Sequence, residues 1–312
     1  MYIKVYLTNM KKKTITLLGG SGFLAKYCIS ELLKYGHKVI VVCRNPYLAG
    51  DLRMMGSIDQ LDICRGNVAN KQSIEPFIRN SDIIINLVGI LFETVGNQTF
   101  QNCHVLGAKN IAELSQKYNV ERLIHFSSIG ANSDSESKYQ KSKGLGERAV
   151  LDIFADATII RPSIVFGPGD GFFSAQSKLV KMLPVIPLFG GGNNCFQCVY
   201  VKDLALGLAK ILNLEESKSK IYEFGGPDVL SMKEIYKLII NTLNIKRLLF
   251  PMPLSLATFI AFVMQFLPRP IITYDQVKLL EQDNIVNEEK NTLESLSIKK
   301  HSAKDLIQTF IQ

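Results

Sequence analysis

Thr14-Ile15-Thr16-Leu17-Leu18-Gly19-Gly20-Ser21-Gly22-Phe23-Leu24-Ala25 is the stretch whose reading decides the fold. A β-prone apolar run passes straight into Gly19-x-x-Gly22-x-x-Ala25, and amphipathic periodicity continues from Phe23 to Tyr35. A strand that turns sharply into a helix crowds its own side chains, and glycine, lacking Cβ, relieves that crowding. The same turn brings backbone N–H groups and the positive end of a helix to one spot, where an anion is stabilised. Between a first strand and a first helix this spacing marks a dinucleotide-binding turn, and Gly19, Gly20, Ser21, Gly22, Phe23 and Leu24 are its candidate residues. Ala25 stands where a third glycine is usual; that position needs only a small side chain.

Outward from this turn, short β-branched runs alternate with helical patterns. The pattern predicts strands at 38–43, 61–64, 83–87, 122–126 and 158–160, and helices at 73–78, 100–118 and 141–154. Strand and helix in alternation predict an α/β fold, a Rossmann-type doubly wound parallel sheet with right-handed crossovers. Beyond Pro162, glycine and proline become dense through 167–171 and 184–192, and the rest is mainly helical. The expected organisation is a nucleotide-binding domain over 10–165, with strands from about 196–225 returning to it. A smaller, mostly helical C-terminal lobe covers 166–312.

The second predicted strand ends Val41-Val42-Cys43-Arg44-Asn45, with no acidic residue for a ribose 2′-hydroxyl. Arg44 carries a permanent charge suited to a 2′-phosphate. The expected cofactor is therefore NADP(H), ahead of NAD(H).

Tyr139-x-x-x-Lys143 opens a predicted helix, and a spacing of four puts both side chains on one face. An ammonium beside a phenol lowers the phenol's pKa, which suits it to acid or base work. Ser127 and Ser128 end the fifth strand, and Ser128 is preferred as the group that orients a substrate. Tyr274-x-x-x-Lys278 repeats the spacing without the α/β context, so position after strand five is what favours the first pair.

Of 312 residues, 47% are hydrophobic and 21% charged, the balance of a globular chain. The formal charge of +8 is scattered; without a basic stripe and interleaved aromatics, nucleic acid is excluded as partner. Cys28, Cys43, Cys64, Cys103, Cys195 and Cys198 form no disulfide framework and imply a reducing compartment. Cys195-x-x-Cys198 sits in a predicted strand over 196–201, where residues three apart face opposite ways, so no metal site is expected. Met10, followed by three lysines, is a candidate start of the biological chain. The uncharged run over 248–268, broken by Pro251 and Pro253, reads as a buried or interface-lying helix.

Taken together, the turn, Ser127-Ser128, the Tyr139/Lys143 pair and Arg161-Pro162-Ser163-Ile164-Val165-Phe166-Gly167-Pro168 resemble the extended and atypical short-chain dehydrogenase/reductases. The stretches RPSIVFGPGDGFF, IPLFGGGNNCFQCVYVKDLA, YEFGGPDVLSMKEI and LPRPIITYDQVKLLEQDNIV resemble the alpha subcomplex subunit 9 family of respiratory complex I and its bacterial relatives. The resemblance implies a bound NADPH with a structural or regulatory role. It also implies docking on complex I or on quinone-related membrane proteins, with peripheral membrane contact through 248–268. The expected location is cytoplasmic, peripheral to the inner membrane, on the matrix side in a eukaryote. By position, the resemblance places Asn67 and Val68 beside adenine, Leu87, Val88 and Gly89 along the cofactor near its ribose, Ile164 and Val165 at the nicotinamide, and Tyr139 and Lys143 as catalytic and cofactor-binding with Ser128. His104 stands where active extended members commonly have Asn, and Tyr139 follows Ser128 by only eleven positions. Both departures count against sugar-nucleotide epimerase or dehydratase chemistry, which ranks behind a cofactor-holding subunit and an active NADP-dependent oxidoreductase.

Overall fold

The computed structural model describes residues 12–94, 98–264 and 273–311. The candidate start at Met10 and residues 265–268 of the apolar run lie outside the described residues. In chain order the first part comprises β1 (Thr14–Leu18), α1 (Phe23–Lys34), β2 (Lys38–Cys43), β3 (Leu61–Arg65), α2 (Lys71–Arg79), β4 (Ile83–Asn86), a π-helical turn (Gln101–Leu106) leading into α3 (Gly107–Lys117), β5 (Arg122–Phe126), α4 (Lys138–Ile153) and β6 (Thr158–Pro162). There follow β7 (Val165–Phe166), α5 (Phe172–Met182), β8 (Val185–Phe189), β9 (Cys195–Phe196), β10 (Val199–Tyr200), α6 (Val201–Leu212), β11 (Ile221–Phe224), β12 (Leu230–Ser231), α7 (Met232–Thr242), β13 (Leu248–Met252), α8 (Leu254–Met264), α9 (Tyr274–Leu279) and α10 (Ala303–Leu306).

Seven strands form one sheet in the order β3-β2-β1-β4-β5-β6-β11, and β1 to β6 pair in parallel. This is the doubly wound order, with a crossover at β1/β4. The reason lies in the strands: β4 and β5 are buried at every residue, and β1 and β2 at all but their first. A strand apolar on both faces is stable only when helices cover both. On one side Val68, Ile74, Ile78, Ile111 and Leu114 pack against Leu18, Val42, Ile84 and Leu123.

The chain divides into two compact units. The first runs to Ser127 and adds Ser142–Ile160 and Ala205–Tyr222; the second comprises Ser128–Lys141, Arg161–Leu204 and the chain from Glu223 onward. The second unit is built on a core of Phe166, Phe173, Ile186, Leu188, Ile235, Tyr236 and Ile307, with three two-stranded pairs: β7/β10, β9/β12 and β8/β13.

Two expectations change here. The strand predicted over 196–201 is broken, because Phe196 pairs antiparallel with Leu230 while Val199 pairs parallel with Val165, and Val201 already begins α6. The run from 248 is not one helix. Its first part is β13, paired parallel with β8, and α8 begins after Pro253. Proline tolerates such a two-stranded edge but cannot continue a helix from within. On α8, Ala257 and Ala261 are buried while Leu256, Phe259 and Val263 are exposed. No helix among the described residues is long and apolar enough to cross a membrane.

Candidate cofactor site

At the end of β1, Gly19 has φ +87° and donates its N–H to the Val42 carbonyl at 3.0 Å. A Cβ on Gly19 would lie 3.0 Å from the backbone of Leu87 and Val88, and one on Gly20 would lie 2.0 Å from Val41 Cγ1. The turn is thus wedged between β2 and the segment after β4, and only glycine fits. Gly22 caps α1 with extended backbone; no side chain caps the helix and its first turn holds no acid. Those first-turn N–H groups are the kind that bind phosphate.

A pocket of about 180 Å³ opens beside this turn. Of the predicted residues, Gly19, Ser21, Gly22, Arg44, Asn67 and Val68 line it, with Leu87, Val88 and Gly89 opposite. Gly20, Phe23 and Leu24 do not: Gly20 faces Val41, and Phe23 stacks edge-on against Tyr27. Sequence reading missed Gly66 and Ile90, which also line the pocket. Gly66 had a signal, a glycine two residues past a predicted strand; its Cβ would lie 2.6 Å from Val42 Cγ1. Asn67 is fixed by its own turn, its Oδ1 accepting from Ala69 N at 3.1 Å.

Lys143, on α4, is 5% exposed and donates to the Phe126 carbonyl at 3.1 Å. Its Nζ lies 3.3 Å from where a Gly89 Cβ would be, so Lys143 and Gly89 are neighbours. Burial lowers its pKa to about 8, with Glu147 opposing.

His104, in the π-helical turn before α3, accepts from Ile90 N through Nε2 at 3.0 Å, with Nδ1 2.8 Å from Ser142 Oγ. Because Nε2 accepts, the proton sits on Nδ1 and is donated to Ser142. Burial first, then the charge of Lys143, pushes its pKa down to about 2. His104 is therefore a neutral peg joining the Leu87–Ile90 strip to α4. The contact is close: a Cβ on Gly146 would lie 2.3 Å from the His104 carbonyl oxygen. Next to it, Asn86 Oδ1 accepts from Val88 N, so Asn86 Nδ2 donates to His125 Nδ1 at 2.9 Å. The His125 proton is then on Nε2, which is buried without a hydrogen-bond partner among the described residues. Burial, then Lys143, lowers its pKa to about 3.

Ser128, Tyr139, Ile164 and Val165 belong to the second unit. The first turn of α4 is held by a residue sequence reading missed: Asp275 accepts from Lys138 N at 2.6 Å, Tyr139 N at 3.1 Å and Ser137 Oγ at 3.1 Å. Its carboxylate caps the positive end of the helix, 136 residues distant in sequence, too far for any local pattern to show. The expected lowering of the Tyr139 pKa does not hold. Burial raises it, and only the nearby Ser128 hydroxyl acts the other way, a proximity rather than a well-formed bond. The Tyr274/Lys278 pair has a structural role: Lys278 bonds Glu136 at 2.8 Å and lies over the Tyr274 ring. No cluster of three metal-ligating side chains occurs among the described residues, and the six cysteines are free.

A doubly wound sheet whose first turn takes a dinucleotide defines a class, and the comparison of sequences narrows it. Residues 15–225 match the NAD dependent epimerase/dehydratase family, and the chain belongs to that family. Within it, the chain is similar to the mitochondrial NADH dehydrogenase (ubiquinone) 1 alpha subcomplex subunit 9 of Dictyostelium discoideum, 32% identical over 91% of this chain and 80% of that protein. The Mus musculus subunit of the same name is 31% identical over 91% and 76%. Among solved structures, the dTDP-glucose 4,6-dehydratase of Bacillus anthracis in complex with NAD superposes with a TM-score of 0.73 at 16% identity, covering 96% of this chain and 95% of that one.

Proposed function

We propose that the chain holds NADP(H) as a resident cofactor and works as a cofactor-holding subunit docked on respiratory complex I or a quinone-handling membrane protein. The domain that binds the nucleotide is the predicted 10–165 segment with its returning strands, and the lobe over 166–312 serves docking. The names of its relatives support the partner, and the NAD in a solved neighbour supports the nucleotide class. The observation that carries the NADP(H) reading is Arg44. Its guanidinium lines the pocket, and its bond is to the neutral amide of Gln98 at 3.1 Å, not to a carboxylate. A cation with no carboxylate bonded to it among the described residues is suited to a 2′-phosphate. A nucleotide that binds only the folded chain stabilises the fold by mass action with no need for turnover. The exposed apolar residues of α8, close in sequence to Lys246 and Arg247, suit contact with an anionic membrane surface.

The test is to purify the native protein, identify its nucleotide by mass spectrometry, and measure affinities. Arg44→Ala is expected to weaken NADP(H) by roughly 10- to 100-fold, the loss of charge-assisted bonds, and to leave NAD(H) nearly unchanged. Equal losses for both nucleotides would refute the assignment. Co-migration with complex I on native gels tests the partner.

A second reading is favoured by one observation: Ser128, Tyr139 and a Lys143 with a pKa near 8 are all present, more than a passive holder needs. In that reading the cofactor supplies hydride chemistry, Tyr139 holds the mobile proton, and Ser128 orients the substrate. Ile164 and Val165 flank the nicotinamide. Turnover with quinones that Tyr139→Phe abolishes would establish it; bound NADPH that never oxidises would end it.

A further inference from the structure

Arg44 follows a β-strand on the open side of the pocket, and an exposed arginine of this kind ordinarily wanders among many rotamers. Here it does not. Gln98 Oε1 accepts from its Nη2 at 3.1 Å, the guanidinium's one hydrogen bond among the described residues. Gln98 is itself held in place: its carbonyl accepts from Thr94 N at 3.1 Å, and the adjoining Thr99 caps the coming helix through Asn102 N at 3.1 Å. The one carboxylate of this segment, Glu93, is turned to another task, accepting from Phe100 N at 2.8 Å. A carboxamide that spends its oxygen on a guanidinium keeps two N–H donors. A guanidinium bonded to an amide keeps its full charge and most of its donors.

We propose that Gln98 is a specificity-determining residue for the nucleotide's 2′ position: it holds Arg44 extended over the ribose and offers its own N–H to a 2′-phosphate. This rests on the NADP(H) reading of the pocket. The group recognised is a phosphate monoester on a ribose, which needs several convergent donors and tolerates no acceptor-only neighbour. A neutral amide at this position satisfies both conditions. A carboxylate would satisfy neither, since it would pair with Arg44 and repel the phosphate. Holding Arg44 before the ligand arrives also lowers the ordering cost of binding.

The experiment uses the full chain and titrates NADP⁺, NAD⁺ and 2′,5′-ADP against wild type, Gln98→Glu and Gln98→Ala, with thermal unfolding to confirm that all three fold. Gln98→Glu is expected to lower NADP⁺ and 2′,5′-ADP affinity tenfold or more, as a like charge beside a doubly charged phosphate near the surface requires, and to leave NAD⁺ within about twofold. Gln98→Ala is expected to lose about two- to fivefold for the phosphorylated ligands alone, the size of one solvent-exposed hydrogen bond to a phosphate plus a freed arginine. A wild type that prefers NADP⁺, with variants that keep its NADP⁺/NAD⁺ ratio, overturns the role of Gln98 and leaves the cofactor reading intact. Equal losses for NAD⁺ and NADP⁺ also overturn it, since they would show a structural role. A wild type that prefers NAD⁺ overturns both.

Discussion

Two Tyr-x-x-x-Lys pairs share one spacing in this chain and little else. Lys143 is buried, donates to a backbone carbonyl, has two neutral histidines nearby, and titrates near 8. Lys278 is partly exposed, bonded to Glu136, and its pKa is raised by that bond and that charge. Spacing put each lysine one turn from a tyrosine; surroundings decided what each can do. In the first case desolvation makes the ammonium ready to give up its proton or to bond a hydroxyl. In the second, an ion pair fixes it as an ordinary cation on the surface.

The largest way to break this contrast is to spoil the packing that buries Lys143. An alanine at a mid-helix glycine ordinarily gains about 1 kcal/mol in helix propensity. At Gly146 the added Cβ would lie 2.3 Å from a backbone oxygen, which cannot rotate aside. Overpacking of this kind costs about 1–3 kcal/mol or more, so the clash outweighs the propensity. Gly146→Ala is expected to lower the Tm by several degrees and to raise the Lys143 pKa toward its ordinary value as water enters. An unchanged Tm would show that α3 and α4 separate easily and that the burial of Lys143 is not enforced.

A smaller effect follows from the histidines around Lys143. His104 and His125 are held neutral, with folded pKa values near 2 and 3, below the ordinary 6.5. The unfolded chain therefore takes up these protons first as pH falls. Their contribution to stability is complete above about 6.5 and is lost progressively below it, toward 3 and then 2. Urea midpoints measured from pH 8 to 4 should fall across that window. His125→Phe, which keeps a ring but cannot titrate and removes the unpartnered Nε2–H, should show a shallower fall. A fall just as steep would assign the acid sensitivity elsewhere.

How far the sequence could be read depended on how local each cause is. The sheet was legible because its strands carry β-branched, largely apolar runs, nearly continuous in β1, β2 and β4, and six predicted strands lie within two residues of the observed ones. Of the residues that line the pocket, Gly19, Ser21, Gly22 and Arg44 stood out in the sequence because they follow strand ends, whereas Asn67 came from the resemblance alone. The break within 196–201 was not, because it arises from two partners distant in sequence, Leu230 and Val165. Asp275 was hidden for the same reason. His104 was legible as a departure, yet its meaning came only from Ile90 and Ser142 on its two nitrogens. The Tyr139 pKa was misjudged because a helical spacing shows that a lysine is near and does not show how much water is absent.

The smallest expected effect belongs to Lys278, and it sharpens the comparison by its size. Lys278 and Glu136 form a single pair at the surface, and such pairs contribute little because water and salt screen them and both chains lose freedom. Lys278→Met should therefore leave the Tm and the NADP⁺ affinity within experimental error, and what change there is should vanish as salt is raised. Lys143→Met is the partner measurement. It removes a buried donor beside Gly89, leaves the Phe126 carbonyl without its bond, and is expected to weaken NADP⁺ by roughly tenfold. If the two substitutions cost the same, the burial of Lys143 has no functional meaning and the two motifs are equivalent after all. If only Lys143→Met weakens the nucleotide, the environment of the lysine, and not its distance from a tyrosine, is what makes a site of the first pair.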